Sequence, residues 1–132
     1  MLHHIADTGF LVALRDRDPA VRRKAREMFQ RIGRPLFVCE PVLAEAAHLV
    51  SPRLVARMVA DGDLVIRFSV QEQIGRIREL LEKYAARMDF ADACVVRMSE
   101  LFPDCMVYTS DVEDFRIYRR FGDKEIPCCF IG

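Results

Sequence analysis

Residues 105–111 read CMVYTSD, an apolar run that ends in Thr109, Ser110 and Asp111. A strand that is apolar along its whole length, with no polar alternation, is covered on both faces, as strands are in parallel sheets flanked by crossover helices. Four more segments have this character: LHHIA (2–6), RPLFVC (34–39), DLVIRFS (63–69) and IPCCFI (126–131). Between them the period changes to that of a helix. GFLVALRD (9–16) is helical, and a second helix is opened by Asp18-Pro19, carries Val21, Ala25, Met28, Phe29 and Ile32 on one side, and stops at Gly33. Pro41 opens a helix with Val42, Leu43, Ala46, Leu49 and Val50 on its apolar side, and Ser51-Pro52 starts the next, which ends at Gly62. VQEQIGRIRELLEKYAARM (70–88) is a long amphipathic helix, and Phe90 to about Phe102 is a helix that is apolar almost all round. VEDFRIYRRFG (112–122) completes the series as a short helix. Strands alternating with helices predict an α/β fold with a mostly parallel central sheet covered on both faces.

The chain of 132 residues is 52% hydrophobic and has no repeat, linker or low-complexity stretch, so residues 1–132 are expected to share one core in a single domain. Its 20 basic and 20 acidic residues cancel, which excludes polyanion binding by net charge; any such contact must come from a local patch. Five cysteines, an odd number, lie mostly in apolar runs, and two are adjacent, which suits neither a disulfide framework nor a zinc site and points to a reducing, cytoplasmic compartment. No segment has the length of a membrane span or the pattern of a signal peptide, so no membrane partner is expected. His3 and His4 alternate faces of their strand and read as packed or solvated imidazoles.

In a parallel sheet, ligand sites collect at the carboxyl ends of the strands. Asp7 and Asp111 each follow a strand, Glu45 falls in the first turns of one helix and Asp92 in the first turn of another, so four acids from remote parts of the chain are placed to converge at one edge. Such a cluster raises its own pKa values unless a divalent cation holds it together, and hard oxygen donors select Mg²⁺ or Mn²⁺. The chemistry that follows is hydrolysis of a phosphodiester. Each acid also has a local reading: an Asx-turn for Asp7, a solvated helix position for Glu45, a capping partner for Asp92 and an N-cap for Asp111. Within MDFADACVV (88–96), the local reading has Asp89 cap the helix with Asp92 in its first turn, and the sharper one has one of the two point into a site.

Four segments in order, IADTGFLVALRDRD (5–18), CEPVLAEAAHLV (39–50), MDFADACVVRMSE (88–100) and VYTSDVEDFRIYRRFG (107–122), resemble the PIN-domain family and, within it, the VapC-type toxins of toxin-antitoxin pairs. The resemblance covers nearly the whole chain. It implies a three-layer α/β/α domain and a Mg²⁺- or Mn²⁺-dependent endoribonuclease whose catalytic and metal-holding acids are Asp7, Glu45, Asp92 and Asp111. It further implies that Thr8, Thr109 or Ser110 orients water or a carboxylate, that Asp114 lies near the metal, and that the protein forms a homodimer held inactive by a cognate antitoxin. Gly9 departs from the pattern, since many relatives have serine or another small hydroxyl residue there. Arg116, Arg119 and Arg120 follow Asp111 and are candidates to contact RNA, whereas Arg22, Arg23 and Arg26 read as a solvated helix face, and Phe115 and Tyr118 as core. The rival expectation is a non-catalytic PIN-like binding or scaffold protein in which the acids serve an interface. A phosphoacceptor domain using Asp7 and Asp111 ranks last, for want of a well-placed N-terminal acid pair.

Overall fold

The computed structural model describes residues 1–131. In chain order the elements are β1 (His3–Ala6), α1 (Thr8–Ala13), α2 (Pro19–Ile32), β2 (Leu36–Val38), α3 (Glu40–Leu49), α4 (Pro52–Ala60), β3 (Leu64–Ile66), α5 (Val70–Tyr84), α6 (Phe90–Leu101), β4 (Cys105–Thr109), α7 (Val112–Ile117), β5 (Arg119–Arg120), β6 (Lys124–Glu125) and β7 (Cys128–Phe130). Five strands form one sheet in the order β3-β2-β1-β4-β7, and every pairing is parallel. The apolar strand 105–109 is the centre-right member, in register with β1 from His3↔Cys105 to Ala6↔Tyr108. Ile5, Leu36, Val38 and Val107 are fully buried in the sheet, which is why these strands carry no polar alternation.

Helix starts follow local chemistry. The Asp18 carboxylate accepts from Ala20 N–H ahead of α2, Ser51 accepts from Leu54 N–H ahead of α4, and Ser69 from Glu72 N–H ahead of α5. Gly33 closes α2 in the left-handed region at φ 61°. Arg22 and Arg26 donate to the carbonyls of Asp16 and Leu14, tying α2 back to the end of α1. His3 packs against the Phe37 and Phe102 rings, at centroid distances of 5.2 and 5.1 Å, and His4 Nδ1 lies 2.7 Å from the Tyr108 hydroxyl. All five cysteines are free.

The chain steps from β1 outward to β2 and β3, then crosses back to place β4 on the other side of β1. Because parallel crossovers are right-handed, the outward and returning connections lie on opposite faces of the sheet. The reversal opens a crevice at the carboxyl ends of β1 and β4. Asp7 follows β1 directly, and Asp111 stands two residues beyond β4.

The two largest departures from the sequence expectation are at helix ends. The helix read through Gly122 ends at Ile117, because Tyr118 turns extended (φ −62°, ψ 145°) and buries its ring completely. Arg119 N–H then donates to the Tyr84 hydroxyl at 2.8 Å, and Arg119 and Arg120 pair antiparallel with Glu125 and Lys124. Phe121 and Gly122, at φ 54° and 86°, form the turn of that hairpin. The helix read to Met88 ends at Tyr84, where Ala85 takes φ 33° and ψ −108°. Among the described residues no helix is long and apolar enough to cross a membrane.

Candidate functional site

α6 enters the crevice with a reciprocal cap. Asp89 Oδ1 accepts from Asp92 N–H at 2.8 Å, and Asp92 Oδ2 accepts from Asp89 N–H at 3.4 Å. Asp89 is therefore the cap, and Asp92 takes part in the same box while facing the crevice. Across from it, Asp111 caps α7 by accepting from Asp114 N–H at 3.0 Å, which brings the Asp114 carboxylate into the same first turn. One oxygen each of Asp92, Asp111 and Asp114 lies within 4.8 Å of the others. Asp7 and Glu45 stand outside that trio, although their charges act on the same space: Asp7 is raised in part by Asp89 and Asp111, and Glu45 by Asp89 and Asp7.

Burial is the main cause of every upward shift in this group, with mutual repulsion added. Asp7, only 6% exposed, is pushed above the usual carboxylate range, against the opposing pull of a Thr109 Oγ1 hydrogen bond at 2.8 Å. Asp92 is pushed up to about 7 by burial and by the charges of Asp89 and Asp7, although the Tyr118 hydroxyl donates to its Oδ2 at 2.8 Å. Asp111 and the exposed Glu45 are also raised, burial leading in both. The donor set is entirely hard oxygen, which fits Mg²⁺ or Mn²⁺. Thr8 Oγ1, next to Asp7, is enclosed and has no hydrogen-bond partner among the described residues.

Several expected neighbours take definite places. Buried Thr109 links two acids, donating to Asp7 and accepting from Asp111 N–H at 3.0 Å. Ser110 explains Gly9: a Cβ on residue 9 would fall on Ser110 Oγ and lie 3.0 Å from Ser110 Cβ and 3.1 Å from its backbone nitrogen. The space that a side chain at position 9 would need is thus filled by Ser110. Gly9→Ala is expected to cost about 1–2 kcal/mol, since the serine side chain can rotate and its backbone cannot. Urea midpoints would check it, and Ser110→Gly in the same chain should restore part of the loss.

Arg116 and Arg119 line a cavity of about 510 Å³ with Phe115, Ile126, Cys128 and Phe130, and the Arg116 guanidinium stacks 5.6 Å above the Phe130 ring. Arg120 instead turns inward, donating to Ser99 O at 2.7 Å and Pro103 O at 3.0 Å, so it braces the turn from α6 into β4. Two participants were not singled out from sequence as site residues. Tyr118 is core, as read, and its hydroxyl also reaches Asp92. Arg87 makes a 2.6 Å ion pair with Asp114 and a longer one, 3.9 Å, with Glu113. No periodic or capping signal marks Arg87 in the stretch AARM. The chain matches no protein-family model, and no curated protein matches it.

Proposed function

We propose that this protein is a metal-dependent endoribonuclease that hydrolyses RNA phosphodiester bonds at the crevice between β1 and β4. The observation that carries the reading is the convergence there of Asp92, Asp111 and Asp114 within 4.8 Å, with Asp7 and Glu45 in the same electrostatic field. Bound Mg²⁺ or Mn²⁺ would supply an activated water and charge stabilisation at phosphorus. Asp7, Glu45, Asp92 and Asp111, with Asp114 beside them, are the residues that would hold it. Thr109 fixes the Asp7 carboxylate and Tyr118 that of Asp92, so both present a set orientation. Arg116 and Arg119, on the same helix-to-hairpin segment as Asp111, offer cations for the phosphates of a bound strand.

The ordered motifs extend the reading to the toxin of a type II toxin-antitoxin pair, a cytoplasmic homodimer restrained by its cognate antitoxin. A scaffold reading draws on a different observation: Asp92 already takes part in a capping box, Asp111 serves as a cap and Asp114 as an ion-pair partner. Incubation of the purified protein with a pool of structured RNAs separates the two. The nuclease cuts with Mn²⁺ or Mg²⁺ and stops in EDTA. Intact RNA in every metal, together with no Mn²⁺-linked rise in melting temperature, would overturn the nuclease and leave the scaffold.

A further inference from the structure

Arg87 lies on the five-residue connection between α5 and α6, beside the acid cluster. Its backbone is held at both ends of the peptide: the amide donates to Tyr84 O at 2.9 Å, and the carbonyl accepts from the Tyr118 hydroxyl at 3.3 Å, the same hydroxyl that reaches Asp92. The side chain is freer. It is 42% exposed and touches the cluster through one nitrogen, Nη1, on Asp114 Oδ1 at 2.6 Å. Ala85, two residues earlier, ends α5 at φ 33°, where an L residue is strained. Among the described residues, none of Asp7, Glu45, Asp92 and Asp111 has an ion-pair partner, so Arg87 is the cation that the cluster has of its own.

Resting on the metal-site reading above, we propose that Arg87 is a built-in counter-ion that competes with the divalent cation for Asp114. With the guanidinium on Asp114 Oδ1, part of the negative charge that the trio offers a cation is already neutralised. When a cation binds, Asp114 changes partner and the Arg87 side chain swings free on its fixed backbone. The protein then sets its own threshold for metal, higher than the carboxylates alone would give.

The test measures free Mn²⁺ by its electron paramagnetic resonance signal during titration of wild type, Arg87→Gln, Asp114→Asn, the Arg87→Gln/Asp114→Asn double variant and Asp92→Asn. Arg87 is exposed, and a melting curve on each variant confirms folding. Arg87→Gln should bind Mn²⁺ about threefold more tightly, the scale of one exposed ion pair. In the Asp114→Asn background the same change should gain nothing, since competition needs the carboxylate. A gain of equal size in both backgrounds would mean general repulsion between Arg87 and the cation and would overturn the competition. An unchanged or weaker affinity in Arg87→Gln, with binding still lost in Asp92→Asn, would overturn it too and leave the metal site standing. No saturable binding in wild type or Arg87→Gln would remove the metal site and this inference together.

Discussion

Asp92→Asn is expected to lower metal-dependent RNA cleavage by at least about a hundredfold and, in EDTA at pH 8, to make the protein more stable. Both effects come from one cause. Burial and the charges of Asp89 and Asp7 push the Asp92 carboxyl up to about 7, so the ionised form is held at a cost in the metal-free protein. The folded-state pKa lies above the unfolded value. The favourable contribution of the protonated group is therefore complete below about 4 and is lost as pH rises through about 7. Asparagine never ionises, and its carbonyl still accepts from Asp89 N–H and the Tyr118 hydroxyl, so cap and orientation survive. After allowance for solvent screening at this half-buried site, the gain at pH 8 is about 1–2 kcal/mol, or roughly 5 °C in melting temperature, and it vanishes near pH 4. Saturating Mn²⁺ should reverse the order, because only the wild type gains about 2–3 kcal/mol from a ligand at a hundred times its Kd. Thermal melts in EDTA and in Mn²⁺ at pH 4, 6 and 8 read the crossing. Cleavage at the wild-type rate would remove Asp92 from the site, and a less stable variant in EDTA at pH 8 would refute the electrostatic account.

What was legible in the chain is what is written locally. CMVYT announces a doubly covered strand, Asp18-Pro19 and Gly33 mark both ends of α2, and Asp89 three residues before Asp92 spells a cap. The acids at strand ends and first turns were legible for the same reason, and Asp114 shares a first turn with Asp111 because the two are one helical turn apart. Three things were not. α7 stops at Ile117 because Tyr118 gains more by burying its ring against Tyr84 and placing its hydroxyl on Asp92 than by continuing the helix, which is a tertiary effect. Arg87 finds Asp114 across 27 residues, and the pairing depends on where α5 ends. Glu100 meets Arg97 one helical turn back, a pairing that spacing names, but its other partners, Arg76 and Phe121, lie 24 and 21 residues away.

Those partners make Glu100→Ala the largest expected loss of stability. The Glu100 side chain is 2% exposed. Arg76 donates to both of its oxygens, at 3.0 and 2.8 Å, Arg97 adds a contact at 3.1 Å, and Phe121 N–H a fourth at 2.7 Å. One carboxylate thus joins α5, α6 and the β5–β6 hairpin. Removing it leaves Arg76 with Glu79 at 3.6 Å and Arg97 with Gln73 at 2.7 Å, and strands one backbone N–H, a loss of about 2–4 kcal/mol at pH 7. Glu100→Gln should lose less, since its carbonyl can keep the Phe121 amide, while its NH₂ faces a guanidinium. Burial alone would raise the Glu100 pKa, yet the hydrogen bonds from Arg76, Phe121 and Arg97 outweigh it and hold the carboxyl below its usual range. Its contribution is then present above about pH 4.5 and lost as pH falls through the lowered value, the reverse of Asp92. Two carboxylates on one helix, the first facing other acids and the second facing arginines, should give difference curves of opposite slope. Urea unfolding of Glu100→Ala and Asp92→Asn between pH 3 and 8 measures both, with faster amide exchange over residues 119–125 expected in the alanine variant alone. A loss under about 1 kcal/mol at pH 7 would show that water replaces the Glu100 contacts and that the hairpin is held by the burial of Tyr118 instead.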